Sequence, residues 1–177
     1  ALAATGTTAM AQSPVPTFTA QDKLDAASYY HIRFKNGGVE LVDKGVNAKI
    51  STNYGNDASA HLFALIGTRQ SFVLRSKNGN YIGFQGDRLT SVKEATQALQ
   101  LTLLNSPVFG EGYYVISRVD DQKNSFNPHG GTGVGKQIGF WENADANNSL
   151  YFPLPDDVPA PTYSAYRDKF TKNEYAY

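Results

Sequence analysis

Trp141 is the single tryptophan of the chain, and Glu142, Asn143, Asp145, Asn147 and Asn148 follow it closely. An indole face stacks on C–H groups, while planar amides and carboxylates hold hydroxyls in fixed directions. Together these side chains suit the recognition of a polyhydroxylated small molecule without any bond being made or broken. The same residues also fit a barrel-capping tryptophan beside an asparagine-rich turn, and the two readings weigh about equally. Just upstream, Gly130 and Gly135-Lys136 match the spacing of a phosphate-binding loop, but Gln137 stands where Ser or Thr would hold Mg²⁺. Such a loop must also open a helix, whereas Gln137 to Trp141 reads as a strand. A flexible or backbone-exposing loop is expected there instead.

Other chemistries find little support. His31, His61 and His129 are scattered, with no carboxylate at ligand spacing, so no metal site is expected. There is no cysteine, which removes disulfides, thiolate ligands and a thiol nucleophile together. No nucleophile-elbow sequence occurs, and no pair of carboxylates stands out as a glycosidase would require. The 16 basic and 16 acidic residues cancel to a formal charge of zero. That balance supplies no long-range attraction to phosphate, so nucleic acid is not an expected partner. No run of apolar residues is long enough for a membrane-spanning helix.

The elements that must position these side chains follow a period. Tyr30-His31-Ile32, Phe72-Val73-Leu74 and Tyr114-Val115-Ile116 each open a strand-like run, 42 residues apart. Such a step marks one supersecondary unit copied along the chain, whose copies bury their apolar faces only against one another. Short apolar stretches alternate with Gly/Asn turns such as Asn36-Gly37, Asn78-Gly79 and Gly130-Gly131. Residues 90–104 have helical propensity, yet Leu99, Leu101 and Leu103 alternate at period two and predict a strand. Residues 19–28 suggest a helical turn.

Residues 29–155 are expected to form one domain, preceded by a lead-in over 12–28. Residues 1–11 end in Ala9-Met10-Ala11 and read as the remnant of a signal peptide, which implies export. Residues 156–177 read as a proline-rich linker and a tyrosine-rich tail.

Three β-rich repeats of about 42 residues resemble a ricin-B-type β-trefoil, an all-β fold of three four-stranded repeats. The apolar slots that close each repeat are Phe63, Leu101 and Leu150, although no copy keeps the family's Gln-x-Trp signature. The third repeat is also similar to trefoil modules of secreted Bacteroidetes proteins, through Asn127-Pro128-His129-Gly130-Gly131 followed by Trp141 and the Asn-rich turn. The resemblance implies a carbohydrate site in that repeat. Asn127 or His129 takes the early polar place, Trp141 the aromatic place and Asn147 or Asn148 the amide place, with Asp145 adding hydrogen bonds. The family's early Asp is missing here. In the first repeat Asp43, Tyr54 and Asn56 or Asp57 make a thinner version, and Asp87 in the second has no aromatic partner.

The expected protein is therefore a secreted, non-catalytic, carbohydrate-binding module with no cofactor and no metal. Two alternatives remain open. One is an assembly subunit of a cell-surface complex that holds a protein partner through its C-terminal tail. The other is the accessory domain of a longer secreted hydrolase.

Overall fold

A computed structural model of the protein describes residues 15–155. The expected signal remnant, linker and tyrosine-rich tail lie outside the described residues. Within them, each repeat contributes four strands. The first repeat holds β2 (Arg33–Phe34), β3 (Glu40–Val42), β4 (Ser51–Asn53) and β5 (Phe63–Thr68). The second holds β6 (Ser71–Ser76), β7 (Tyr81–Gln85), β8 (Arg88–Val92) and β9 (Leu101–Ser106). The third holds β10 (Gly110–Arg118), β11 (Asp121–Pro128), β12 (Ile138–Glu142) and β13 (Leu150–Tyr151). The chain is a β-trefoil.

The outer strands of the repeats form a six-membered barrel. β5 pairs with β6, β6 with β9, β9 with β10, β10 with β13 and β13 with β2. An isolated bridge between Tyr30 and Phe63 closes the ring. The couplets that set the 42-residue period line its interior. Ile32, Leu74 and Ile116 are fully buried, and Tyr30, Phe72 and Tyr114 nearly so. Phe63, Leu101 and Leu150 are likewise buried. The inner hairpins β3–β4, β7–β8 and β11–β12 add Leu41 and Ile50, Ile82 and Leu89, Phe126 and Ile138 to the same cluster. Three equivalent layers thus share one core, as a repeat that cannot bury its own face requires.

The stretch over 90–104 splits into the end of β8, a 3-10 turn at Ala95–Gln97 and the start of β9, so the period-two leucines win over helical propensity. The lead-in carries a 3-10 helix, Gln21–Ala26, and a short strand β1 (Phe18–Thr19) lying parallel to β5. Phe18 packs edge-on against Phe72, with ring centroids 5.3 Å apart.

The glycine-rich loop before β12 differs from its expectation. It is docked. Thr52 on β4 donates its hydroxyl to the Gly133 carbonyl (2.6 Å) and accepts from the Lys136 amide (2.8 Å). The Thr52 carbonyl accepts a third bond from the Gly135 amide, 2.8 Å away. Gly37 lets the loop come close, because a Cβ there would lie 2.8 Å from the Thr132 side chain. The third repeat is thereby stapled to the first. Thr52→Val keeps the buried shape and removes both hydroxyl bonds, so chemical denaturation should show a loss of about 1–3 kcal/mol with an unchanged slope. A loss below the fitting error would mean the staple carries no stability.

Candidate functional site

β12 sends alternate residues to opposite faces. Ile138 is buried in the core and Phe140 packs partly against it, while Trp141, on the other face with the buried Gly139, is exposed. The register with β11 sets Asn127 opposite Gly139 and Ser125 opposite Trp141. The outward face therefore presents a 56 % exposed indole beside an amide, separated by a position without a side chain. These residues form one wall of a cleft of about 540 Å³. The facing wall comes from the second repeat, through Phe84, Asp87 and Arg88 of the β7–β8 hairpin, with Arg118 at the end of β10. The walls nearly touch at Gly139, where a Cβ would sit 3.3 Å from the Asp87 carbonyl and 3.4 Å from Arg88 Nη1.

The Asn-rich turn braces this face through Asn148. Asn148 is fully buried and donates to Ser125 Oγ (2.9 Å) and to the carbonyls of Trp141 (3.0 Å) and Glu142 (3.1 Å). Its own carbonyl accepts from Asn127 Nδ2 at 2.7 Å, which orients the Asn127 amide. Asp145 caps the 3-10 turn Ala146–Asn148 by accepting from the Asn147 amide (2.9 Å). Asn147 Oδ1 accepts from Asn36 of the first repeat (3.1 Å).

Of the six residues expected to meet a ligand, Asn127, His129 and Trp141 line one cleft. Asn148 does not reach it, since a side chain with no exposed surface braces the wall rather than facing a ligand. Asp145 accepts from the Asn147 amide and from Asn127 Nδ2 (3.4 Å), and Asn147 gives its side-chain oxygen to Asn36. Phe84 and Arg88 escaped the sequence reading because they belong to the preceding repeat, and Arg118 because it lies on β10, outside the β11–β12 hairpin that carries Trp141. No local spacing announces them.

The thinner first-repeat version is organised differently. Asp43 is buried and accepts from Ser76 Oγ (2.6 Å), Asn80 Nδ2 (3.0 Å) and the Gly45 amide (2.9 Å). Burial alone would raise its pKa, but the bonds from Ser76, Gly45 and Asn80 hold the carboxyl below its ordinary value. Asn56 and Asp57 turn toward His61 and His31.

The two histidines, distant in sequence, meet on one carboxylate. Glu40 Oε2 accepts from His31 Nδ1 (2.7 Å) and His61 Nδ1 (2.6 Å), while Oε1 takes Arg33 through Nε (3.0 Å) and Nη2 (2.8 Å). His31 Nε2 reaches Asp57 at 2.7 Å. Glu40 and His31 have no exposed surface. Burial would raise the Glu40 pKa, yet the bonds from His31, His61 and Arg33 lower it to about 2. Burial would likewise lower His31, and the bonds and charge of Glu40 with the bond to Asp57 reverse the sign and raise it. Gly55 leaves room for this cluster, since a Cβ there would lie 2.7 Å from Arg33 Nη2.

No family model matches the chain, and no curated protein matches it by sequence. Solved structures do. A ricin B-like lectin of Macrolepiota procera in complex with lactose is 18% identical, with 73% of this chain and 96% of that one covered at a TM-score of 0.63. The C-half of an earthworm R-type lectin in complex with GalNAc is also 18% identical, covering 71% and 97% at 0.53. A designed 3-fold symmetric protein, ThreeFoil, is 13% identical and covers 70% and 96% at 0.57. Identities this low carry the frame alone, and the frame is the β-trefoil shared with ricin B-like lectins.

Proposed function

We propose that the protein is a secreted carbohydrate-binding module that holds its ligand, without turnover, in the cleft of the third repeat. The observation that carries this reading is the outward indole of Trp141, 56 % exposed on a concave wall, beside an amide already oriented. The core aromatics of the barrel are buried, so this ring's exposure has no packing explanation. Stacking on sugar C–H groups uses the indole face, and the Asn127 carbonyl, which bonds no described residue, accepts from a hydroxyl. Lectin neighbours in complex with lactose and GalNAc support the same reading.

Binding without reaction fits the two acids of the cleft. Asp87 is exposed, and Asp121 is engaged by Asn124 at 3.0 Å and 3.3 Å. Neither is the carboxyl in an apolar pocket that a glycosidase uses as its proton donor. Secretion enters the proposal from the Ala9-Met10-Ala11 sequence.

Glycan-array screening followed by calorimetric titration tests the site. Trp141→Ala should weaken the best glycan by about tenfold or more, as expected of an aromatic anchor, with the melting temperature unchanged. Equal binding by wild type and variant would remove Trp141 from the site.

A further inference from the structure

We propose that the saccharide bound in this cleft carries an anionic group, a carboxylate or a sulfate, and that Arg118 and Arg88 hold it. The inference rests on the carbohydrate reading above and names the class of sugar.

Both arginines line the cleft that Trp141 lines. Neither belongs to an ion pair; among the described residues the ion pairs all gather around Glu40 and His31 in the first repeat. Arg118 is the more telling. Its guanidinium lies 4.9 Å from the Phe84 ring centre and 4.7 Å from that of Phe140. The two rings are themselves in edge contact at 5.4 Å. They hold the cation in place but offer no in-plane acceptor, and its buried Nε has no partner. The Arg118 guanidinium makes no hydrogen bond to any described residue. A planar fork of donors is thus immobilised at the cleft with no acceptor among the described residues. Carboxylate and sulfate present the paired oxygens that such a fork matches.

Arg88 completes the pair. Its Nη1 donates to the Asp87 carbonyl at 2.9 Å, and its Nε is also buried without a partner. Gly139 lets the two walls approach, since a Cβ there would sit 3.4 Å from Arg88 Nη1. The acids of the cleft keep their charge, but neither forms an ion pair with Arg88 or Arg118. Asp121 is occupied with Asn124, and Asp87 sits exposed on the hairpin turn. Arg88 on the second-repeat wall and Arg118 at the end of β10 line the same cleft as Trp141, within reach of one saccharide.

The test is calorimetric titration of the full chain with matched saccharides: a neutral oligosaccharide, its uronate counterpart and its sulfated counterpart. Inorganic sulfate and acetate serve as bare-anion probes. At low salt a charged saccharide should bind about tenfold or more tighter than the neutral one, since charge-assisted bonds are roughly twice as strong as neutral ones. The uronate and sulfate arms tell which anion is preferred. High salt should narrow the gap, as should Arg118→Gln and Arg88→Gln, each to within about twofold, while Trp141→Ala should weaken both members of a pair. Equal affinity for neutral and charged saccharides, still sensitive to Trp141→Ala, would overturn the anion proposal and leave the carbohydrate reading standing. A charge preference that survives both arginine variants would also overturn it. Inorganic sulfate binding as tightly as the sulfated saccharide, with Trp141→Ala silent, would overturn the carbohydrate reading and with it this one. Absence of binding by every saccharide at millimolar concentration would overturn both.

Discussion

Glu40→Ala is expected to cost about 3–5 kcal/mol of folding free energy at pH 5.5, read by urea unfolding. The loss comes less from attraction forgone than from what is left behind. His31, His61 and the Arg33 fork all donate to this one buried carboxylate, and its removal leaves four donors without an acceptor in a site closed to water. Glu40→Gln should cost less, because the remaining amide oxygen still accepts, but its amino group then opposes a donor. The pH dependence has two limbs. Glu40 falls from an ordinary 4.5 to about 2 in the folded chain, so its contribution is complete above pH 4.5 and lost as pH drops toward 2. His31 is raised above its ordinary 6.5, so its contribution is complete below that value and lost as pH climbs through the folded pKa. Stability should therefore peak between pH 4.5 and 6.5 and decline on both sides. Glu40→Ala should flatten the acid limb. A wild-type curve level from pH 3 to pH 8, or a loss under about 1 kcal/mol in Glu40→Ala, would remove the cluster from the account of stability.

Phe126→Ala carries the other large effect. The ring is fully buried in the common core and meets Phe140 edge-on at 5.6 Å. Truncation removes its burial energy and leaves a cavity that the barrel's cross-linked strands resist collapsing, about 3–5 kcal/mol in all. Calorimetry should show the melting point fall by roughly 6–20 °C, given 2–4 °C per kcal/mol for a domain of this size. The loss should reach the cleft as well, since Phe126 supports Phe140, which in turn holds Arg118. Selectivity among saccharides should decline before binding itself does. A drop of less than about 1.5 kcal/mol would mean that the site repacks and that Phe140 has other support.

How much of this was legible in the chain depends on the range of the interaction. The barrel was readable because its threefold axis turns spatial equivalence into a sequence period; Ile32, Leu74 and Ile116 occupy one layer for the same reason that they lie 42 residues apart. Trp141, Asn127 and His129 were readable because one hairpin brings them together. The facing wall was not, because Phe84 and Arg88 reach the cleft only when two repeats dock, and Arg118 arrives from β10 with no fixed spacing to Trp141. The Glu40 cluster was hidden likewise, its histidines lying 9 and 21 residues from the carboxylate with no regular spacing between them. Asn148 shows a different obstacle. An asparagine that binds ligand and one that clamps a turn are the same residue, and burial alone separates them. The glycine loop seemed free because its anchor, Thr52, lies 84 residues away from Lys136.

The pairing of β13 with β2 sets a constraint on the order in which the molecule can be finished. Phe34 waits for Leu150, a strand made at the far end of the domain, and until then the first repeat presents a bare edge. A chain emerging residue by residue can pair β5 with β6 and β9 with β10 as they appear, but it cannot seal the barrel. The first-repeat edge is thus the surface longest open to wrong pairing during synthesis, and the short length of β2 limits what can be added to it.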